Sequence, residues 1–115
     1  MAVDVKASEL NSDVRIVALS GRLDMETANA DSPALQEALQ QSAAGVVVDM
    51  GAVEFISSSG LRMLIAAHQS AQNAQKPLAL VRAQPSVYKI FKVSALDAMF
   101  RFFDDEAQAI QTLWQ

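Results

Sequence analysis

Val46-Val47-Val48-Asp49-Met50-Gly51-Ala52-Val53-Glu54-Phe55-Ile56-Ser57-Ser58-Ser59-Gly60-Leu61-Arg62-Met63-Leu64-Ile65 is the stretch around which the rest of the chain is organised. A β-branched run gives way to a short loop, then to three serines and a glycine, then to apolar residues at helical spacing. The order reads as strand, loop and helix, with the serines at the helix N-terminus. Serine is a preferred N-cap because its oxygen accepts a bond from one of the first unpaired backbone N–H groups, and one serine suffices for that. Three leave spare hydroxyls where partial positive charge and free donors can hold an anion, phosphate included. A hydroxyl there is well placed to carry a phosphoryl group. The other reading of the same residues is a capped helix whose Gly60 permits close packing.

Outward from this stretch, the bounds are clear. At 115 residues with an apolar share of 51%, the chain fits one domain, residues 1–115, with one core. No apolar run approaches the roughly eighteen residues needed to cross a bilayer, and Met1-Ala2-Val3-Asp4 lacks the basic start of a signal peptide. A cytoplasmic protein with no membrane partner is expected. Cysteine is absent, which excludes disulfides, thiolate nucleophiles and cysteine-based metal sites. The net charge of -4 is scattered, without a Lys/Arg cluster to neutralise phosphates, so nucleic acid is disfavoured as a partner.

Before the central stretch, Ala2 to Leu10 alternates loosely as an edge strand and Asn11-Ser12-Asp13 forms a turn. Val14-Arg15-Ile16-Val17-Ala18-Leu19-Ser20 is a clearer strand, with Val14, Ile16 and Ala18 on one face, and Gly21 ends it; the two strands make a hairpin. Ser32-Pro33 is the expected start of the first helix, with serine as cap and proline at the first helical position. Leu35, Ala38 and Leu39 form its apolar stripe, and Ala43-Ala44-Gly45 closes it. Gly45 to Met50 is apolar without alternation, as expected of a strand covered on both faces.

The helix after Ser58 puts Leu61, Leu64, Ile65, His68 and Ala71 on one core-facing stripe. Arg62, Met63, Ala66 and Gln69 lie off it. An exposed Met63 beside Arg62 suits a protein interface, where both residue types are enriched; a partly buried Met63 is the other reading. His68, the single histidine, has no carboxylate at helical spacing, so a packed histidine is expected rather than a metal ligand. Leu78-Ala79-Leu80-Val81 is a fourth strand. Gln84-Pro85-Ser86 opens a short helix with Val87, Ile90 and Phe91 inward, and Met99 to Phe103 makes a last strand. Asp104-Asp105-Glu106 stand where a helix start favours acids, and Ala107, Ile110, Leu113 and Trp114 line the closing helix. The result is an α/β fold, a mixed four- to five-stranded sheet packed against about four helices.

Phe55-Ile56-Ser57-Ser58-Ser59-Gly60-Leu61, between a strand ending in Asp49 and an amphipathic helix, resembles the signature of STAS domains, particularly the bacterial anti-sigma-factor antagonists. The usual form in that family is an aromatic, an apolar residue, Asp, Ser, Ser or Thr, Gly, Leu, and the serine after the Asp is phosphorylated. Carried over by position, the acceptor is Ser58. The chain departs from the pattern at Ser57, where the family usually has Asp; this removes a negative charge beside the acceptor and leaves Ser57 and Ser59 as competing acceptors. Gly21-Arg22-Leu23-Asp24 resembles the family's Gly-x-Leu-Asp corner, whose Asp contributes to the partner-facing surface. Asp24 reads equally well as the cap of a turn or helix. The segment from Pro85 to Phe91 resembles a further family feature.

The resemblance implies a single STAS-type domain that binds partners and needs no cofactor. Its partners would be a serine kinase that is also an anti-sigma factor, ATP-binding and of histidine-kinase-like fold, and a metal-dependent serine phosphatase. The unphosphorylated form would bind the kinase and release its target, and phosphorylation of Ser58 would end binding. The expected partner surface comprises Asp24, Ser57, Ser58, Ser59, Gly60, Leu61, Arg62 and Met63. Catalysis is not expected: Gly-x-Ser-x-Gly would need glycine at position 56, which is Ile, and no glycine-rich phosphate loop with lysine is present. The alternative implied by the same resemblance is a STAS subunit of a bacterial lipid-transport ABC system. A third possibility, the cytoplasmic tail of an anion transporter, conflicts with the lack of membrane helices.

Overall fold

The computed structural model of the protein describes residues 3–115. The elements run β1 (Val3–Ala7), β2 (Val14–Leu23), α1 (Met25–Gln41), β3 (Gly45–Ile56), α2 (Ser58–Asn73), β4 (Leu78–Val81), α3 (Pro85–Val93), β5 (Arg101–Phe103) and α4 (Glu106–Leu113). The five strands lie in one sheet in chain order. β1 is antiparallel to β2, and β2 through β5 are mutually parallel. Each parallel neighbour is reached through a helix, as parallel pairing demands.

Alternation along β3 divides its side chains between two cores. Val46, Val48 and Met50 join Leu35, Leu64 and Phe91 in the larger one, while Val47 joins Val14, Ile16, Ala79 and Val81 against Ile110 of α4. Val46, Val47 and Val48 are all fully buried, each contributing about 1.5 kcal/mol or more by leaving water. β3 is thus covered on both faces, as its unbroken apolar run implies.

Five boundaries differ from the sequence reading, the simplest being the last strand, which is expected from Met99 and begins at Arg101. The edge strand is expected to begin at Ala2, which lies outside the described residues, and it ends at Ala7 instead of Leu10. There the Oγ of Ser8 accepts bonds from the amides of Leu10 and Asn11 and donates to Glu106 at 2.6 Å, turning the chain away.

Gly21 does not end β2. It takes φ +75 beside a shift in the β2–β3 register, and pairing resumes to Leu23. The extra residue of that shift, Glu54, lies on β3, since Gly21 pairs with Val53 and Arg22 with Phe55; the positive φ of Gly21 is one that glycine adopts without strain.

β3 does not stop at Met50. Its second half, Gly51 to Ile56, is hydrogen-bonded to β2 but not to β4, whose pairing stops at Asp49 opposite Val81. With one open edge, this half carries the exposed Ala52, Glu54 and Phe55 and reads in sequence as a loop.

The start of α1 differs most. The helix begins at Met25, not Ser32, and Pro33 lies inside it. Asp24 is the N-cap, accepting from Thr27 N at 3.2 Å, while the Thr27 Oγ1 accepts from Asp24 N at 2.9 Å. That reciprocal capping box satisfies two donors, and burial of the α1 stripe adds to it against the backbone bond that Pro33 cannot donate. Ala28, Asp31, Leu35, Ala38 and Leu39 then form the buried stripe. At the far end of the chain, α4 buries Ala109 with Ile110, and Ala107, expected on its core stripe, is exposed.

Candidate functional site

β2 and β3 project past the rest of the sheet side by side, with Arg22 opposite Phe55 and Leu23 opposite Ile56. α1 and α2 start from their ends. The junction from Phe55 to Gly60 is therefore held against the corner 22–27 by the register of a parallel strand pair.

The three serines have separate environments. Ser57 is the N-cap of α2: its Oγ accepts from Gly60 N at 3.3 Å. It also donates to the carbonyl of Leu23 at 3.0 Å, and Ser57 N donates to the same carbonyl at 2.8 Å. Both the proton and a lone pair of the Ser57 hydroxyl are thus engaged in holding α2 to the end of β2. Ser59 is half-buried and lines a shallow groove between α1 and α2 with Ala28, Ser32 and Met63. Ser58 is exposed on the first turn of the helix, and its Oγ accepts from the guanidinium of Arg62 at 3.4 Å.

Gly60 explains the glycine of the motif. A Cβ there would lie 2.8 Å from both the Leu23 carbonyl oxygen and the Ile56 Cγ1, and 3.0 Å from the Leu23 Cβ. Any side chain would push α2 off the carbonyl that Ser57 binds. Leu61 turns into the core beside it.

Asp24 lies at the edge of this surface, half-exposed. The bond from Thr27 N, ahead of its other interactions, holds the Asp24 carboxyl below its ordinary value. It therefore performs the capping role, whatever else it contacts.

Of the eight residues expected on the partner surface, the structure exposes Ser58 and Arg62 and half-exposes Asp24, Ser57 and Ser59. Gly60, Leu61 and Met63 are buried. Of the two readings of Met63, the exposed one is corrected: Met63 is 5% exposed, because the first two turns of α1, ahead of the start expected at Ser32, lie beside it. His68 packs on Phe100 with ring centroids 5.3 Å apart.

Sequence reasoning missed two neighbours of the site, Arg22 and Met25. Arg22 places its guanidinium 4.2 Å from the centre of the Phe55 ring, within cation–π range. Met25, at the first position of α1, is 67% exposed, the most exposed large apolar side chain on this end of the sheet. The signal for the Arg22–Phe55 pair was the parallel register, which no local pattern reveals. Among the described residues, no group of three or more His, Cys, Asp or Glu side chains is arranged to hold a metal ion, and no helix is long and apolar enough to cross a membrane.

A family model described as STAS domain matches residues 6–109. The chain belongs to the STAS domain family. It is 26% identical over 106 residues to the anti-sigma F factor antagonist of Paenibacillus polymyxa, covering 91% of each chain. It is 29% identical over 93 residues to the anti-sigma-F factor antagonist RsfB of Mycobacterium tuberculosis, covering 81% of this chain and 75% of that one. The crystal structure of an anti-sigma factor antagonist from Mycobacterium paratuberculosis superposes with a TM-score of 0.85 at 26% identity, over 98% of this chain and 93% of the other. The five-stranded mixed sheet with four helices is thus the STAS fold, and the serine run lies at its β3–α2 junction.

Proposed function

We propose that this STAS domain is an anti-sigma-factor antagonist, a binding module gated by phosphorylation of Ser58. In this reading the unphosphorylated surface around Ser58 docks a serine kinase that is itself an anti-sigma factor, displacing the factor it holds. The kinase transfers phosphate from ATP to Ser58 and the complex ends. A metal-dependent serine phosphatase restores the hydroxyl. The domain contributes a docking surface and an acceptor and performs no chemistry of its own.

The observation that carries the reading is the division of labour among the serines. Ser57 donates its proton to Leu23 and accepts from Gly60, so attaching a group to it would undo the start of α2. Ser58 is exposed and accepts a bond from Arg62; among the described residues its hydroxyl donates to none, so its modification leaves the cap in place. The relatives named as anti-sigma factor antagonists supply the class of partner.

Magnitudes favour a switch at the interface over a switch in the fold. Phosphoserine adds roughly -1.5 to -2 charges at neutral pH. A hundredfold loss of affinity requires about 2.7 kcal/mol, and two like unit charges 4 Å apart cost on the order of 4 kcal/mol at an effective dielectric near 20. One badly placed contact across the interface is enough.

The test is calorimetric binding to the cognate kinase. Ser58→Ala binds as tightly as the unmodified chain and no longer dissociates when ATP is added, whereas Ser58→Asp or Ser58→Glu binds at least tenfold more weakly while remaining folded. Equal affinity of all these chains, or no binding by any, contradicts the proposal.

A further inference from the structure

Arg62 stands one helical turn after Ser58, and its guanidinium reaches the Ser58 Oγ at 3.4 Å. That distance is longer than an optimal N–H···O bond, as befits a pair in which one partner carries no charge. The rest of the fork is open: among the described residues the one ion pair joins Arg82 and Asp49, so no carboxylate holds the Arg62 guanidinium. The neighbouring Arg22 differs, since it lies over the Phe55 ring.

From this juxtaposition we infer that Arg62 is the in-chain receiver of a phosphoryl group on Ser58, a positioning residue of the modified state. The inference rests on the proposed use of Ser58 as acceptor. Phosphorylation extends the side chain by three strong acceptor oxygens toward a guanidinium already turned to the Oγ. Arginine presents planar, paired donors that match phosphate geometry, which a lysine's point charge does not. The (i, i+4) spacing puts both side chains on one helix face. In the unmodified chain the same contact occupies a lone pair of the Ser58 hydroxyl.

Two consequences follow. The dianion is held along the surface of α2 in a defined direction, so that what a partner meets is a fixed phosphate rather than a mobile one. Part of its charge is also matched within the chain, so that the modified domain keeps its stability.

The experiment uses the full chain with phosphoserine installed at position 58 during translation, which needs no kinase and separates this inference from the question of which serine a kinase selects. The phosphorus NMR signal is titrated in the parent chain, in Arg62→Gln and in Arg62→Lys, each checked for folding by circular dichroism. Arg22, Asp24 and Glu26 on the facing corner and Glu54 on β3 are unchanged throughout, so differences isolate position 62. The second phosphate pKa is expected about 0.3 unit lower in the parent than in Arg62→Gln, with Arg62→Lys between them. The Arg62 Nε–H signal of the parent should also shift on phosphorylation. Identical titrations for parent and Arg62→Gln, or an Arg62 signal indifferent to the phosphate, overturn the inference. Failure of a cognate kinase to modify Ser58 would instead overturn the functional proposal and leave the Arg62 result standing.

Discussion

α1 and α2 start side by side at the same end of the sheet, yet their first turns are closed in different ways. At α1 the closure is internal: Asp24 and Thr27 each satisfy the other's backbone N–H, and the Thr27 hydroxyl donates back to the carbonyl of Arg22 at 2.6 Å. At α2 the residue in the place of Thr27 is Gly60, which has no side chain to return the bond. The backbone N–H of Ser57 goes instead to the Leu23 carbonyl, and the glycine is what allows that carbonyl to approach. A helix start closed by its own side chains is finished; one closed by a neighbouring strand leaves its next residue, Ser58, free for other work. The serine run is, in this light, a tertiary cap as much as it is the proposed modification site.

The largest test of the contrast is at the strand that serves both starts. Leu23 is fully buried, and Leu23→Ala should cost roughly 2–5 kcal/mol in chemical denaturation; a loss under about 1 kcal/mol would show that the β2 end does not anchor the helices. Gly60→Ala should cost roughly 1–3 kcal/mol through overpacking. Amide exchange at the start of α2 should accelerate while that at the start of α1 does not. Next comes Ser57→Ala, expected at about 0.5–2 kcal/mol, the range for a lost N-cap.

Two carboxylates of α1 respond to acid with opposite signs. Asp24, held below its ordinary 3.8 by its capping bonds, contributes stability that is complete above that value and is lost as pH falls through the depressed one. Asp31 is buried, with one carboxylate oxygen lacking a hydrogen-bond partner among the described residues, and burial, ahead of the opposing pull of the chain's amino terminus, raises its carboxyl above 3.8. Its charge therefore weakens the fold at neutral pH, and that penalty fades as pH falls through the raised value toward 3.8. Asp31→Asn should raise the melting temperature at pH 7, with the gain shrinking toward pH 4; a gain independent of pH would mean that charge is not the cause.

What could be read from sequence follows the same division between local and tertiary closure. α3 with Pro85 in its first turn, the four residues of β4 and the order of all nine elements were legible because periodicity and turn residues are local. The start of α1 was not, because Ser32-Pro33 carries a strong generic start signal inside a helix whose actual cap is Asp24. The second half of β3 reads as loop because Gly51-Ala52 break the apolar run, and pairing on one side alone leaves Ala52, Glu54 and Phe55 exposed. The motif singles out Ser58 by position alone; why its surroundings differ from those of Ser57 is not legible locally, since that rests on the carbonyl of a residue 34 positions away. Met63 failed for the same reason in reverse: its cover comes from α1.

Smallest in stability and largest in consequence is Ser58→Ala, expected to change folding by no more than about 0.5 kcal/mol. The decisive measurement is site mapping by mass spectrometry after the parent and Ser58→Ala chains are incubated with the cognate serine kinase and ATP. The account predicts stoichiometric phosphate on Ser58 of the parent, with α2 intact by circular dichroism, and none on the variant. Phosphate on Ser57 or Ser59, or full modification of the Ser58→Ala chain, would contradict it.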